Sequence, residues 1–400
     1  KKIIDEINSI NFNEIIFKPK QIKTHLIKDS VDKEFIKMSC EIANLNFKDK
    51  EKYRIAFTNL HGTAITLIPK LLKKAGFSDI HMVKEQLLPD GDFPTVDSPN
   101  PEEAEALKMG INLFKSINAD ILIGTDPDAD RLGICVRDND DQSIILNGNQ
   151  TMILLTRFLI ENFYDKIKLS KKYFIATTLV STPMMSKIAE DYGIECKLTL
   201  TGFKWIAKLI EDYPDQKIIC GGEESYGFMI GDLVRDKDAI TSTLLACNLG
   251  SYLKQAGSSI FEFLIESYIK HGYFKEKMIS VTKKGKKGLN EILKIMKFYR
   301  ESPPDKISNL KIKIIEDYLA GKEKNINNKK SKIINFPKSD FIRFILEDNS
   351  IISIRPSGTE PKIKFYISVR HKLYKKEDYF KIDMLLEDKI KTIINGLKIN

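Results

Sequence analysis

Three carboxylates stand at alternate positions, Asp126, Asp128 and Asp130, and Arg131 follows directly. Apolar runs on both sides predict a strand, an acidic loop and a second strand. Carboxylates at this spacing repel one another unless a cation lies between them, and oxygen ligands without His or Cys suit Mg²⁺. A metal ion beside an arginine indicates phosphoryl chemistry, because both can carry the charge of a phosphate.

Two other interpretations of the acidic loop exist. An EF-hand loop also begins Asp-x-Asp-x-Asp, but it requires Gly at position six and Glu at position twelve. Arg131 and Arg137 occupy those positions here, which excludes an EF-hand. A solvated acidic turn between two strands stays open from these residues alone.

A second segment, residues 220–227, places Glu223 and Ser225 between glycines. A carboxylate and a hydroxyl two residues apart can bind neighbouring hydroxyls of a sugar, and glycine lets the backbone approach a ligand closely. A turn with a serine N-cap is the alternative.

A third segment, residues 354–361, contains Arg355, Ser357, Gly358 and Thr359. A forked guanidinium, two hydroxyls and backbone N–H groups around a glycine are typical of a phosphate site, although the lysine spacing of a P-loop is missing. The alternative is a hairpin turn, since Pro and Gly favour turns.

Residues 201–205 include Lys204 and the single tryptophan. A lysine after a glycine turn can meet a phosphate as a point charge. An exposed lysine at the start of a helix explains the same residues.

Taken together and in this order, the motifs resemble the α-D-phosphohexomutase superfamily, the phosphoglucomutases and phosphomannomutases. The resemblance runs from about Tyr53 to Val369. The matching segments are the metal loop (126–131), the sugar loop (222–227), the phosphate loop (355–361) and the turn that opens the family's second domain (58–63).

The resemblance implies a mechanism and a role for each motif. A phosphoserine, with Mg²⁺ held by the three aspartates, would phosphorylate a sugar monophosphate, and the resulting sugar 1,6-bisphosphate would turn over and return its other phosphate. Arg131 would neutralise the transferring group. The sugar hydroxyls would be held by Glu223 and Ser225, and the phosphate that does not react by Arg355, Ser357, Gly358, Thr359 and, as a second contact, Lys204. No general base is identified, and His61 is assigned a structural role.

The family's serine lies in a first domain, in a loop where a histidine follows it. None of the five histidines here follows a serine, and the chain begins with Lys1. We therefore expect most or all of that first domain to be missing from these residues. Two alternatives stay open: a haloacid-dehalogenase-like phosphatase with Asp126 as nucleophile, and a sugar-phosphate-binding fragment without catalysis.

The composition fits a cytoplasmic enzyme. The net charge of +9 comes from lysines spread along the whole chain, so we expect no nucleic-acid partner. No apolar run reaches the ~18 residues of a membrane span, which predicts no membrane partner. Five scattered cysteines favour a reducing compartment. The oligomeric state stays open.

The alternation of strands and helices predicts an α/β fold. Within it we expect a helix to begin at Asn100 and Pro101, and the polar stretch 321–332 to be a loop. The predicted units are a tail and linker (1–45), two successive α/β domains with mixed sheets (46–147 and 148–270) and a C-terminal α+β domain (271–400).

The form of the sugar loop predicts the substrate by resemblance. Its Gly-Glu-Glu-Ser-Tyr-Gly sequence resembles the α-phosphoglucomutase and phosphopentomutase branch. Phosphomannomutases typically carry a histidine at the position of Gly227. Glucose phosphates are therefore expected as substrates, with mannose or pentose phosphates second.

Overall fold

The computed structural model describes residues 2–18, 25, 27–164, 172–283, 285–357 and 361–397. It confirms the predicted fold class. Two α/β units with mixed sheets follow one another, and a larger sheet with two long helices forms the C-terminal unit.

The first sheet contains the apolar runs that the sequence predicts to be strands. Its strands are β1 (Ile55–Thr58), β2 (Ile80–Met82), β3 (Ile121–Thr125), β4 (Leu132–Arg137) and β5 (Ser143–Leu146). They lie in the order β2-β1-β3-β4-β5, with β1 parallel to β2 and β3 and the other neighbours antiparallel. Both β1 and β3 are buried along their whole length, which explains why each begins with a run of apolar residues.

Four helices precede or surround this sheet: α1 (Lys2–Ser9), α2 (Asp29–Ala43), α3 (Ile68–Lys74) and α4 (Lys108–Ser116). Short 3₁₀ segments lie at Phe12–Glu14, Lys50–Lys52, Thr63–Thr66 and Lys84–Gln86. Helix α2 falls in the stretch expected to be tail and linker, and it buries Ile36 and Ala43 against the core of the α/β units. The domain boundaries themselves stay a prediction.

The prediction of a helix beginning at Pro101 was wrong, because α4 begins only at Lys108. Asn100 does accept a hydrogen bond from the Glu102 N–H at 3.1 Å, as a cap would. However, residues 101–107 form turns rather than an α-helix. The Glu102 carboxylate lies 2.8 Å from Arg131. This tertiary contact, and not the local helix propensity, determines the conformation of residues 101–107.

The second α/β unit repeats the strand order of the first. Its elements are α5 (Gly148–Phe163), β6 (Tyr173–Thr178), α6 (Met184–Asp191), β7 (Glu195–Thr199), α7 (Phe203–Asp212), β8 (Lys217–Gly222), β9 (Phe228–Ile230), α8 (Ala239–Gln255) and α9 (Ile260–His271). The order β7-β6-β8-β9 corresponds to β2-β1-β3-β4, with only the last pair antiparallel in each.

Helix α8 joins the two α/β units. It packs on α2 and α3 of the first unit and on β9 of its own. Two buried hydrogen bonds tie it to α2: Ser39 Oγ lies 3.0 Å from Thr241 Oγ1, and Asn248 Nδ2 donates to the Ala43 carbonyl at 3.0 Å. The metal and sugar loops, one from each unit, are thus carried on a shared core.

The C-terminal unit is built on an eight-stranded sheet. Its elements are β10 (Tyr273–Thr282), α10 (Gly285–Glu301), β11 (Lys306–Ile307), β12 (Leu310–Asp317), β13 (Lys322–Asn325), β14 (Ser331–Ile333), β15 (Ile342–Leu346), β16 (Ile351–Pro356), β17 (Lys362–His371), a 3₁₀ segment (Lys376–Asp378) and α11 (Tyr379–Gly396). Its strands run in the order β10-β17-β16-β15-β12-β13-β14, and β11 pairs with β12.

The polar stretch expected to be a loop is instead a hairpin, β13 and β14, at the edge of this sheet. Its strands carry little apolar alternation because both faces are largely exposed, so hydrophobic periodicity could not reveal them. Backbone pairing with β12 and a cross-strand ion pair between Glu323 and Lys332 at 3.4 Å hold it in place.

In the described part of the chain, no helix is long and apolar enough to cross a membrane.

Candidate active site

The acidic loop connects β3 and β4, as the sequence predicts. Carboxylate oxygens of Asp126, Asp128 and Asp130 all lie within 4.8 Å of one another. Asp126 Oδ1 accepts hydrogen bonds from the backbone N–H groups of Asp130 and Arg131, each at 2.9 Å. Asp130 Oδ1 is buried and has no hydrogen-bond partner among the described residues. Clustered carboxylate oxygens, one of them buried without a hydrogen bond, fit a hard divalent cation such as Mg²⁺.

The charge balance of this loop also favours a cation. Burial, together with the neighbouring carboxylates of Asp130 and Asp128, raises the pKa of Asp126 to about 8. Lys237 reaches the cluster from the N-terminal end of α8, with its ammonium 2.7 Å from Asp130 Oδ2. The Arg131 Nε lies 3.7 Å from Asp126 Oδ2. The loop therefore concentrates carboxylates whose charge is offset by a proton on Asp126, by the neighbouring Lys237 and Arg131, or by a bound cation.

Arg131 lies between the acidic loop and Glu102: its Nη1 donates to Glu102 Oε1 at 2.8 Å, while its Nε is 3.7 Å from Asp126 Oδ2 and 3.8 Å from Asp130 Oδ1. Burial raises the pKa of Glu102, and the Arg131 charge opposes that rise. Only Glu102 is within hydrogen-bond distance of the guanidinium in the described residues, and Asp126 and Asp130 lie farther away, so the five-donor group has N–H donors left for a phosphate.

The turn of residues 58–63 supports the metal loop from behind. Thr63 donates two hydrogen bonds to the Pro127 carbonyl, from its N–H at 2.8 Å and its hydroxyl at 3.0 Å. A Cβ on Gly62 would lie 2.4 Å from Pro127 Cα, so only glycine allows this approach. His61 is buried in the same turn with Nε2 2.9 Å from Thr95 Oγ1, which fits its predicted structural role.

The sugar loop lies directly against the metal loop. It connects β8 and β9, and an isolated antiparallel bridge joins Gly227 to Arg131. The Leu132 N–H donates to the Tyr226 carbonyl at 3.0 Å. On its other side the loop meets the start of α5, where a Cβ on Gly148 would lie 2.1 Å from the Glu224 carbonyl oxygen. Backbone contacts thus fix the two loops relative to each other.

Glu223 is buried and links the sugar loop to the turn before α7. Its Oε1 accepts a hydrogen bond from the Gly202 N–H at 2.6 Å. Burial and the adjacent Glu224 carboxylate raise the pKa of Glu223 to about 7, and the Gly202 N–H, Lys237 and Arg355 oppose the rise. This carboxyl group therefore exchanges a proton near neutral pH.

Glu224 and Ser225 line a cavity of about 520 Å³, here called the sugar cavity, together with Arg131 and Tyr226. Glu224 Oε2 accepts a hydrogen bond from Ser181 Oγ at 2.9 Å. Sequence reasoning chose Glu223, whereas the structure turns Glu224 toward this cavity. Because the two glutamates are adjacent and of the same type, only the three-dimensional structure distinguishes them.

Arg355, Ser357 and Lys204 line a second cavity of about 320 Å³, here called the phosphate cavity. The Lys204 ammonium lies 5.5 Å from the centroid of the Trp205 ring. Arg355 and Ser357 stand at the end of β16, next to β17. The other two predicted residues of this loop, Gly358 and Thr359, lie outside the described residues.

Several polar residues of the site carry no signal that sequence reasoning could use. Lys362 and Lys364 on β17 and Glu276 on β10 also line the sugar cavity. Their residue types do not distinguish them, or Lys237, because lysine and glutamate are spread along the whole chain. Only strand register brings them together, since Glu276 pairs with Ser368 and Arg355 with Lys364.

Two models of one protein family match the two α/β units of this chain. The family model "Phosphoglucomutase/phosphomannomutase, alpha/beta/alpha domain II" matches residues 33–139, and the model for domain III matches residues 147–268, so together they span more than half of the chain. The chain belongs to the phosphoglucomutase/phosphomannomutase family. The resemblance drawn from its motifs is thereby confirmed.

Phosphoglucomutase of Staphylococcus aureus strain MSSA476 is 38% identical to this chain over 327 residues, which cover 82% of this chain and 58% of that protein. The chain thus spans less than two thirds of the length of the curated relatives it matches.

Two solved structures share the fold. A putative phosphomannomutase from Thermus thermophilus has a TM-score of 0.60 at 15% identity, over 85% of this chain and 62% of that one. The phosphoglucomutase pp63/parafusin from Paramecium, in an open form, has a TM-score of 0.59 at 17% identity, over 93% of this chain and 62% of that one. At such low identity these likenesses show the fold alone.

Proposed function

We propose that this chain forms the metal-, sugar- and phosphate-binding parts of a phosphoglucomutase-type isomerase. The enzyme would interconvert hexose 1-phosphate and hexose 6-phosphate in cytoplasmic carbohydrate metabolism, through a phosphoserine and a sugar 1,6-bisphosphate. The observation that carries the proposal is the backbone bridge between Arg131 and Gly227, which places the acidic loop against the sugar loop. Family membership and the similar S. aureus phosphoglucomutase support it.

In this proposal each loop binds a different part of the substrate. Arg355, Ser357 and Lys204 hold the phosphate that does not react, because their cavity offers a guanidinium fork, a hydroxyl and an ammonium. Ser225 and the Glu223–Glu224 pair bind sugar hydroxyls. Binding at both ends orients the reacting oxygen, which converts binding energy into a lower barrier.

The reacting phosphoryl group would meet the metal loop. Asp126, Asp128 and Asp130 would hold Mg²⁺, which supplies Lewis-acid stabilisation of phosphoryl charge when bound. Arg131 exchanges its contact with Glu102 for the incoming phosphate. When Mg²⁺ neutralises the three carboxylates, the Lys237 ammonium would either give up its contact with Asp130 or share that carboxylate with the metal. The phosphoserine itself is proposed to come from outside these 400 residues.

Glucose phosphates are the proposed substrates. The identity of the sugar loop and the S. aureus relative both favour glucose, while no described residue is seen to select the configuration at C2. Comparing kcat/KM for glucose, mannose and ribose 1-phosphates on the full-length enzyme would decide this point. A clear preference for mannose or ribose would contradict glucose and leave the mutase assignment standing.

The function is tested by replacing the guanidinium fork. In the full-length enzyme, Arg355→Lys keeps the charge but loses bidentate binding, so kcat/KM for glucose 1-phosphate should fall by roughly 10- to 100-fold, as expected for charge-assisted hydrogen bonds. Arg370→Lys, at the exposed end of β17, is the matched control and should change little. Equal kinetics for the two variants would contradict the proposed phosphate site.

A further inference from the structure

A third cavity, of about 620 Å³, lies between the second α/β unit and the C-terminal sheet. Its walls come from β7 and α7 on one side and from β12, β15 and residues 335–337 on the other. It adjoins the phosphate cavity, because Leu179, Leu200 and Trp205 line both. Its volume falls within the range of roughly 300–1,000 Å³ of small-molecule sites.

Four aromatic side chains line this cavity: Trp205, Tyr213, Tyr318 and Phe336. Tyr213 is 43% exposed, so part of its ring is open to a ligand. The centroid of its ring also lies 3.5 Å from the ammonium of the buried Lys197. Aromatic walls of this kind bind flat rings by offset stacking. We call this space the aromatic cavity.

The charges of the aromatic cavity are paired. Its ion pairs are Lys197 with Glu195 at 2.8 Å, Lys208 with Asp212 at 2.7 Å and Arg343 with Glu316 at 3.3 Å. A ligand group here should therefore carry no net charge. The buried Nε of Arg343 has no hydrogen-bond partner among the described residues, so the cavity offers a donor to an uncharged acceptor.

The adjoining phosphate cavity has the opposite character. Among the described residues, Lys204, Lys338 and Arg355 have no carboxylate within ion-pair distance, whereas the one acid that lines the cavity, Asp340, is paired with Arg300 at 2.6 Å. Among the residues that the structure describes, positive charge therefore predominates in the lining of the phosphate cavity, which favours an anionic group.

We propose that a nucleoside phosphate binds across these two cavities, with its base in the aromatic cavity and its phosphate against Arg355 and Lys204. The charge distribution of the two cavities matches such a ligand: one anionic end, and one flat, uncharged end with hydrogen-bond acceptors. The inference rests on the proposed function because both use the phosphate cavity. It follows that a nucleotide and a sugar phosphate exclude each other.

Trp205 makes the inference directly measurable, because it is the only tryptophan and lines both cavities. The 400-residue chain is titrated with AMP and UMP, and tryptophan emission and binding heat are recorded. Adenosine, inorganic phosphate, glucose 1-phosphate and maltose 1-phosphate are titrated in parallel. AMP or UMP should bind at least about tenfold more tightly than inorganic phosphate, and glucose 1-phosphate should displace it.

Tyr213→Ala isolates the new part of the site. It should weaken AMP binding about tenfold, the loss of one stacked ring, and change glucose 1-phosphate binding by less than about twofold. Tyr374→Ala, which removes an exposed tyrosine that does not line the cavity, is the control and should leave both unchanged.

The outcomes separate this inference from the proposed function. If glucose 1-phosphate binds but neither nucleotide binds more tightly than inorganic phosphate, the inference is overturned and the function stands. Tighter binding of maltose 1-phosphate than of either nucleotide, lost in Tyr213→Ala, would also overturn it, since the cavity would then select a second sugar ring. Nucleotide binding without any glucose 1-phosphate binding supports the inference and contradicts the function.

Discussion

At the scale of single residues, the metal assignment depends on oxygen ligands that carry charge. Asp128→Asn removes one charge from the cluster while its exposed side chain contributes little to packing. We expect the Mg²⁺ affinity of the chain to fall about tenfold or more, with the free energy of unfolding changed by less than about 0.5 kcal/mol. Titration calorimetry with Mg²⁺ measures the affinity, and urea denaturation measures the stability.

Asp215→Asn is the matched control, because Asp215 is exposed and lies outside the acidic loop. It should leave both quantities unchanged. Mg²⁺ affinity that is the same in Asp128→Asn and Asp215→Asn would contradict the metal site.

A second prediction at this scale follows from buried Glu223. Its folded-state pKa of about 7 lies above the ordinary value of 4.5. Between pH 4.5 and 7 the native state therefore keeps a proton that the unfolded state has released. The contribution of Glu223 to stability is therefore complete below about pH 4.5 and is lost as the pH rises through about 7. Glu223→Gln cannot ionise and should escape this loss.

The free energy of unfolding of Glu223→Gln minus that of the wild type should therefore rise between pH 4.5 and 7, by about 1.4 kcal/mol for each unit of pKa shift, and level off above. Urea denaturation at a series of pH values measures the difference. A difference that does not change with pH would show that Glu223 titrates normally.

Residue types alone were enough to select Asp126, Asp128, Asp130 and Arg355 as candidates, because unusual spacing or a rare arginine distinguishes them. Lys237 and Glu102 could not be found in this way. Both lie far from the acidic loop in sequence, and only the folded chain brings Lys237 to Asp130 and Glu102 to Arg131. Sequence spacing reports local contacts, whereas these two are tertiary.

At the scale of elements, the turn of residues 58–63 should control the metal loop without contributing a ligand. A Cβ at Gly62 would lie 2.4 Å from Pro127 Cα and 2.7 Å from its carbonyl oxygen, and backbone atoms cannot rotate away. Gly62→Ala should thus displace the loop, weaken Mg²⁺ binding several-fold and destabilise the fold by about 1–3 kcal/mol.

Gly91→Ala is the control for this change, since a Cβ there meets nothing within 4 Å. Calorimetric Mg²⁺ titration and urea denaturation are again the measurements. If Gly62→Ala behaved like Gly91→Ala, the turn would have no part in holding the acidic loop.

Elements with strong periodicity or a clear cap were the predictable ones. Helix α5 begins at Gly148, where the Asn147 side chain accepts a hydrogen bond from the Gln150 N–H, and α8 follows its cap Asp238. The prediction of a helix beginning at Pro101 was wrong because Glu102 forms an ion pair with Arg131. The hairpin β13–β14 was missed because it lies at a sheet edge and has almost no buried face.

At the scale of the whole molecule, the candidate site is built from three parts: the metal loop of the first unit, the sugar loop of the second that lies against it, and the phosphate cavity between the second unit and the C-terminal sheet. We therefore expect this chain to bind substrate but not to turn it over, because the implied phosphoserine is not among its motifs. Binding and catalysis should separate in the isolated 400 residues.

The most direct measurement is ³¹P NMR of glucose 1-phosphate with the 400-residue chain, Mg²⁺ and a catalytic amount of glucose 1,6-bisphosphate. We predict a broadened glucose 1-phosphate signal, restored to its free width by Arg355→Lys, and no glucose 6-phosphate above a sample without protein. Formation of glucose 6-phosphate by the chain alone, or a glucose 1-phosphate signal that addition of the chain does not change, would contradict the proposed division between binding and catalysis.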